Sequence, residues 1–259
     1  MQCRCIEIVI SAVLIALASD SFAADADAFL AGTTRNCVAC DLSAWDLHGR
    51  ELKLSHLDHA KLSNADLTAA SLFRSTMQFA DLSHAKLDHA NLNVVDAKWA
   101  DFRGAALSNA LLYEADLSGA DFSGVNLTGA RLGRAHLDGT DLRGAKLTGA
   151  DLREAQLTGV KLTGADLRGA TLNGENLRDL DLHGIDFTAS SMVQTDLSGA
   201  DLKGANLSGV NLAGANLHGA DLRGANLEDA NLDDAIMSDI KSEGATFDAA
   251  IMPNGHRSN

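Results

Sequence analysis

The sequence predicts an all-β solenoid, a chain that turns once every five residues and stacks its turns into a rod. Three observations predict it. From Leu42 to Met237 every fifth residue is Leu, Met or Phe, forty times in succession with Ala97 as the single exception. Two residues before each of these sits a second register, mostly Ala, with Val125, Val160 and Val210 as variants. Twenty of the 23 glycines lie two residues after the first register, giving the consensus Ala-Asp/Asn-Leu-x-Gly seen at residues 200–204.

A period of five excludes the two ordinary elements. In an α-helix each residue advances about 100°, so a step of five turns the leucines by about 140° and spreads them around the whole circumference. In a flat strand five is odd, and successive leucines would alternate between faces. The chain must therefore bend once per repeat. Within a short extended segment, residues two apart point the same way, so Ala and Leu face inward and the Asp or Asn between them faces out. Glycine then takes the corner, where a positive φ or a close backbone approach is needed.

Composition agrees. Aromatics make up 4% of the 259 residues and there is one proline, so a conventional core built on large rings is excluded while 46% apolar content still has to be buried. The formal charge of −14 repels nucleic acid and anionic lipid, which argues against both as partners.

The uninterrupted Ala-Asp/Asn-Leu-x-Gly run resembles the pentapeptide repeat family, and the resemblance covers nearly all of residues 40–252. It implies a right-handed quadrilateral β-helix with four repeats closing a coil of twenty residues. At a spacing of about 4.8 Å, about ten coils would make a rod on the order of 50 Å long. The family does not fix a function, because one rod serves many roles.

The expected organisation has four parts. Residues 1–23 read as a cleaved signal peptide: Arg4, an apolar run from Ile8 to Ala18, then Ser21-Phe22-Ala23 with small residues at the cleavage site. The run is too short for a stable membrane span, although Glu7 within the segment leaves a retained anchor as the alternative. Residues 24–39 form an N-terminal cap segment, 40–239 the β-helix, and 240–259 a C-terminal cap and tail. The mature chain would be exported, periplasmic in a Gram-negative bacterium, with a charge of −13.

Cys37 and Cys40 are then its only cysteines. In an oxidising compartment they are disulfide candidates that clasp the end of the rod. A redox pair is the alternative. Haem attachment requires His where Asp41 stands, and zinc requires a second ligand pair at suitable spacing.

Once residues twenty apart are stacked, the surface can be read in columns. Asp recurs at 41, 81, 101, 121, 141, 181, 201 and 221, interrupted by Lys61 and Lys161, with Arg103, Arg143, His183, Lys203 and Arg223 two residues after their Asp partners. The resemblance implies one use of such a column, since some family members imitate duplex DNA and occupy the DNA site of a gyrase-type topoisomerase. Here the stripe is broken and half compensated. A second feature is an outward apolar group in the first coils, Leu54, Phe73, Phe79, Val94, Trp99, Leu111 and Tyr113, on two adjacent sides. It is a candidate interface, unless the segment around Phe29 and Leu30 folds over it.

Inside, Glu175, Leu180 and Ile185 replace small inward residues. An inward Glu is costly unless paired or turned outward, so a local widening or kink is expected there, with Arg178, Asp179 or Lys161 as sources of compensation. Phe102 and Phe122, one coil apart, should stack, and Trp99 should fill the space left by Ala97. At the ends, Trp45, Arg50 and Ser55 replace inward Ala. Ile240, Phe247, Ile251 and Met252 form a candidate end contact, consistent with the end-to-end dimers that the resemblance implies.

No catalytic, cofactor or metal residues are assigned. No G-x-S-x-G, H-E-x-x-H or phosphate-binding loop occurs, and His48, His56, His59, His84 and His89 fall in different columns. The reading is an exported, non-enzymatic protein-binding scaffold whose partner is an unidentified protein or a second copy. The alternatives are a DNA-mimicking topoisomerase binder and, third, an enzyme or metal-binding protein.

Overall fold

The structure, a computed structural model, describes residues 26–258, and in them the period of five becomes one continuous coil. Parallel β-bridges join residues twenty apart in four registers, as in Asp41↔Lys61, Asp46↔Asp66, Glu51↔Ser71 and His56↔Thr76, and they continue to Asn231↔Ile251. Each coil therefore has four sides. We call first the side that carries residues 40–44, 60–64 and so on, second that with 45–49, third that with 50–54 and fourth that with 55–59.

Four backbone bonds per repeat build the coil. Leu62 N–H and the corner Asn64 N–H donate upward to the Asp81 and Ser83 carbonyls at 2.7 and 3.0 Å, Asp81 N–H donates down to Ala60 at 3.0 Å, and Ala65 N–H closes the corner on Leu62 at 3.0 Å. The N–H after each central Leu has no place in this ladder. The Asp or Asn two positions earlier accepts it, as Asp41 does from Ser43 N–H (3.1 Å), Asp66 from Thr68 N–H (3.1 Å) and Asp101 from Arg103 N–H (3.0 Å). The acidic consensus residue thus has a backbone task as well as a solvated one.

Inward Ala and Leu fill the rod from end to end. Phe102 and Phe122 stack with centroids 4.4 Å apart. Three inward hydroxyls are satisfied by the coil below, Ser75, Thr140 and Thr195 donating to the carbonyls of Leu52, Leu117 and Leu172 at 2.8, 3.0 and 2.8 Å, whereas the buried Ser190 hydroxyl has no partner among the described residues. Trp99 does not fill the space at Ala97, contrary to expectation. It occupies a corner, where φ of +55° directs its side chain outward onto Phe79, while Ala97 itself is fully buried.

The expected signal peptide lies outside the described residues. A short helix, α1 (residues 26–30), closes the N-terminal end, with Ala26 and Phe29 buried in the same core as Cys37 and Cys40. It does not fold over the outward apolar group. Arg50 turns outward rather than inward, because no coil lies beneath it, and its guanidinium donates to the Leu30 carbonyl at 2.6 Å. Trp45 is exposed for the same reason. At the other end Ile240, Phe247 and Met252 are half-buried against the core, and Ile251 pairs with Arg257 as the tail folds back antiparallel.

The rod has one seam. Among the described residues, the bridges expected between 156 and 176 and between 161 and 181 are missing, as are the ladder bonds from Leu157, Gly159, Leu162 and Gly164. The third side stays joined at Asp151↔Thr171 and the second at Asp166↔Asp186, so the opening is a wedge on the fourth and first sides. Its cause is steric: the inward positions of the upper coil hold Glu175, Leu180 and Ile185 instead of Ala. Solvent reaches the core through it, since Ala155 and Val160 are 8% and 7% exposed where equivalent residues away from the rod's C-terminal end are near zero.

Glu175 is only 4% exposed. Its carboxylate is met by the backbone N–H of Glu154 and Ala155, and no Arg or Lys lies within ion-pair reach among the described residues. The compensation expected from Arg178 or Lys161 is thus supplied by backbone amides. Burial, reinforced by the charges of Glu154 and Asp151, pushes its pKa from 4.5 up to about 7.

Candidate functional site

The outward features converge on the third and fourth sides of the first coils. Corner residues lean toward the corner one coil above, so residues twenty apart touch. His59 stacks on Phe79 at 5.1 Å and Phe79 on Trp99 at 5.0 Å, all three rings within 14° of parallel between neighbours. The ladder ends at Gly119, where a Cβ would lie 2.6 Å from the Trp99 ring. Phe79 and Trp99 remain 49% and 52% exposed.

On the adjoining third side, Leu54 and Tyr113 are exposed, and Phe73, Val94 and Leu111 are half-exposed. Arginines lie over two of these rings: the Arg74 guanidinium is 5.2 Å from the Phe73 centroid and that of Arg134 5.8 Å from Tyr113. Beyond Tyr113 the surface dips into a hollow of about 440 Å³ floored by Gly133 and edged by Arg131, Arg134 and Arg153. Arg134 pairs with Glu154 at 2.8 Å and Glu114 at 3.7 Å, and Arg153 with Asp151 at 2.7 Å. The hydrogen bond from Arg153 holds the Asp151 carboxyl below its usual range. Between residues 50 and 154 this side carries six Arg or Lys against four carboxylates, a local excess of positive charge on a chain of −14.

The backbone gives these corners a cost. Every corner has φ near +55° to +76° whatever its residue. From 39 to 99 only one of thirteen corners is Gly, and the others include Leu54, Phe79, Val94 and Trp99. A left-handed conformation costs an L-residue roughly 1–2 kcal/mol, and a β-branched residue such as Val94 is a rare occupant.

The seven residues read from the sequence as an interface are thus brought onto two adjacent sides. His59, Arg74, Arg131, Arg134, Arg153 and Gly133 were missed. The 59-79-99 spacing, and Gly133 as the one repeat glycine outside the corner register, are the signals that could have found them. The Asp column of the first side is charge-paired, through Arg103–Asp101 at 2.6 Å, Arg143–Asp141 at 2.5 Å and Arg223–Asp221 at 2.7 Å. Cys37 and Cys40 are buried, joined as a disulfide with Cα atoms 5.2 Å apart. Among the described residues no group of three or more His, Cys, Asp or Glu is arranged to hold a metal, and no helix is long and apolar enough to cross a membrane.

A family model described as pentapeptide repeats matches in eight copies across residues 51–239. The chain belongs to the pentapeptide repeat family. Its fold is accordingly the right-handed β-helix of that family. Among solved pentapeptide repeat structures, it is similar to HetL from the cyanobacterium Nostoc sp. strain PCC 7120, a protein involved in heterocyst differentiation regulation, with 32% identity over 81% of this chain and 92% of that one and a TM-score of 0.46. It is similar also to a trypsin-treated form of QnrB1, a plasmid-mediated fluoroquinolone resistance protein, at 20% identity over 77% and 90% of the two chains with a TM-score of 0.44. Rfr23 from the cyanobacterium Cyanothece 51142 matches at 28% identity over 51% of this chain and 90% of that one, TM-score 0.20. No curated protein matches.

Proposed function

We propose that this pentapeptide repeat protein is an exported, non-enzymatic scaffold that binds another protein, or a second copy of itself, through the third and fourth sides of its first coils. The observation that carries the reading is the set of bulky residues at left-handed corners. Leu54, Phe79 and Trp99 leave about half their surface exposed, and together with Val94 they occupy a conformation that glycine would take at lower cost. Such outliers are retained where a surface has a task. The mixture of aromatic rings and arginines is that of an interface core, in which Trp, Tyr and Arg carry most of the binding energy.

Export is supported by Arg4, the apolar Ile8–Ala18 run and the small residues before Ala24, and by a buried Cys37–Cys40 pair of the kind that persists in oxidising compartments. The pairing of the Asp column with arginines weakens a DNA-like stripe, and so favours the scaffold over a topoisomerase binder. The test is a double variant, Trp99→Ser with Tyr113→Ser. It is expected to lose the partner cross-linked to the face in the producing cell, or its self-association, while keeping the β-rich circular dichroism of the parent. Association that persists in the double variant removes the reading.

A further inference from the structure

Gly133 is a glycine that no turn requires. Its φ lies outside the left-handed region, and it occupies the outward position after the central Leu, where the third side otherwise carries a side chain, Tyr113 below and Arg153 above. A Cβ there would stand 3.4 Å from the Tyr113 ring and 3.6 Å from the Arg153 carbonyl, ordinary contact distances. Neither backbone conformation nor crowding therefore explains its choice, and glycine in an extended segment costs about 0.5–1 kcal/mol relative to Ala. Its missing side chain leaves the floor of the open hollow clear between Tyr113 and Arg153.

The charges at the hollow are unevenly satisfied. Arg134 and Arg153 are held by Glu154 and Asp151 at 2.8 and 2.7 Å. Arg131, on the same rim and exposed, has no carboxylate within 4.0 Å and no side-chain hydrogen bond among the described residues; its charge only helps, at longer range, to hold the Asp151 carboxyl down. Leu111 and Tyr113 form an apolar wall beside it. A guanidinium with free donors next to an apolar wall matches a single carboxylate carried on a chain with an apolar neighbour. A polyanion is disfavoured, because the remainder of the rod is acidic.

We propose that this hollow is a carboxylate subsite of the interface: Arg131 receives an Asp or Glu side chain of the partner protein, and an adjacent apolar side chain of the partner rests on Leu111 and Tyr113. The proposal rests on the protein-binding reading above and supplies the partner's chemistry at one point. The neighbouring ion pairs hold Arg134 and Arg153 in place, so the incoming carboxylate meets a rim whose other cations are already oriented.

The test is a titration of the mature ¹⁵N-labelled protein with the blocked dipeptides acetyl-Leu-Glu-amide and acetyl-Leu-Gln-amide, followed at the Gly133 amide and the Arg131 Nε. Saturable shifts with the glutamyl peptide and about tenfold weaker ones with the glutaminyl peptide are expected, the usual worth of one charge-assisted pair. Arg131→Gln and Gly133→Val should each abolish the difference between the peptides while leaving the ring-current shifts of His59, Phe79 and Trp99 in place. Equal responses to both peptides overturn the subsite, as does a response to inorganic phosphate or a single-stranded oligonucleotide stronger than that to the glutamyl peptide. Loss of the subsite with retention of the Trp99 and Tyr113 effect leaves the interface standing. Loss of the Trp99 and Tyr113 effect alone removes the interface and leaves a carboxylate site without it.

Discussion

The corners of the first coils and those of the later coils have the same backbone and different residues. Glycine takes one of thirteen corners from 39 to 99, and eighteen of twenty-five from 104 to 224. Yet φ is positive at all of them. Glycine frequency therefore does not report what the backbone needs, which is constant. It reports where the chain displays no side chain at the edge. The later coils approach the lowest-cost version of the rod; the first coils depart from it on all four sides, but the large apolar corners Leu54, Phe79, Val94 and Trp99 lie only on the third and fourth.

If the two regions differ only outside, their interiors should respond alike. Leu87 and Leu207 occupy the same column and are fully buried. Truncating either to Ala should cost about 3 kcal/mol, within the range for a buried leucine whose surroundings cannot collapse. Leu157, at the seam, should cost about half of that, because solvent already reaches its coil and the removed atoms leave less of a dry cavity. Urea unfolding of the three variants checks this. A larger loss at Leu87 than at Leu207 would break the comparison by showing that the first coils are also tuned within.

The seam gives the next largest effect, and its sign follows from linkage. Glu175 has a folded pKa of about 7 against an ordinary 4.5. The neutral form is favoured in the fold, so stability is greatest below about pH 4.5 and is lost as pH rises through 7, by roughly 3 kcal/mol. The other groups facing the carboxylate, Glu154 and Asp151, act in the same direction, while the amides of Glu154 and Ala155 oppose it. Glu175→Gln should flatten this part of the pH profile and raise the pH 8 stability toward the pH 5 value. Amide exchange at Leu157, Gly159, Leu162 and Gly164 should show higher protection factors in the variant. An unchanged pH profile would assign the wedge to Leu180 and Ile185 alone.

These cases mark what could be read without a structure. The inside was legible because its period admits one solution: inward Ala and Leu, outward Asp and a corner, each repeated until no other register survives. The widening near Glu175 was legible for the same reason, since a carboxylate in the Ala register has nowhere to go. The corners were not, because the direction of a corner side chain depends on its neighbour twenty residues away. Trp99 was assigned to the space at Ala97 on chain proximity, whereas the left-handed backbone turns it outward to meet Phe79. Gly133 escaped notice because, although its register can be read from the sequence, the hollow beside it appears only in three dimensions, and Arg131 because an unpaired charge is visible only when the others are seen paired.

The smallest expected effect separates the cost of the corners from their use. Val94 holds φ of +59° at a corner on the third side, a conformation that its β-branched side chain disfavours. Val94→Gly should therefore stabilise the rod by about 0.5–1 kcal/mol, the left-handed penalty relieved minus the extra entropy that glycine loses on folding. Gly119→Ala provides the converse, because it adds a Cβ at φ of +68° only 2.6 Å from the Trp99 ring. It should destabilise by about 2 kcal/mol, and by about 1 kcal/mol less in a Trp99→Ser background, where the backbone part remains and the clash is gone. If Val94→Gly stabilises the rod and also weakens association, the first coils retain valine against their own stability for the sake of the surface. If it destabilises, Val94 contributes packing that its half-exposed position does not account for, and the corner strain ceases to argue for a binding face.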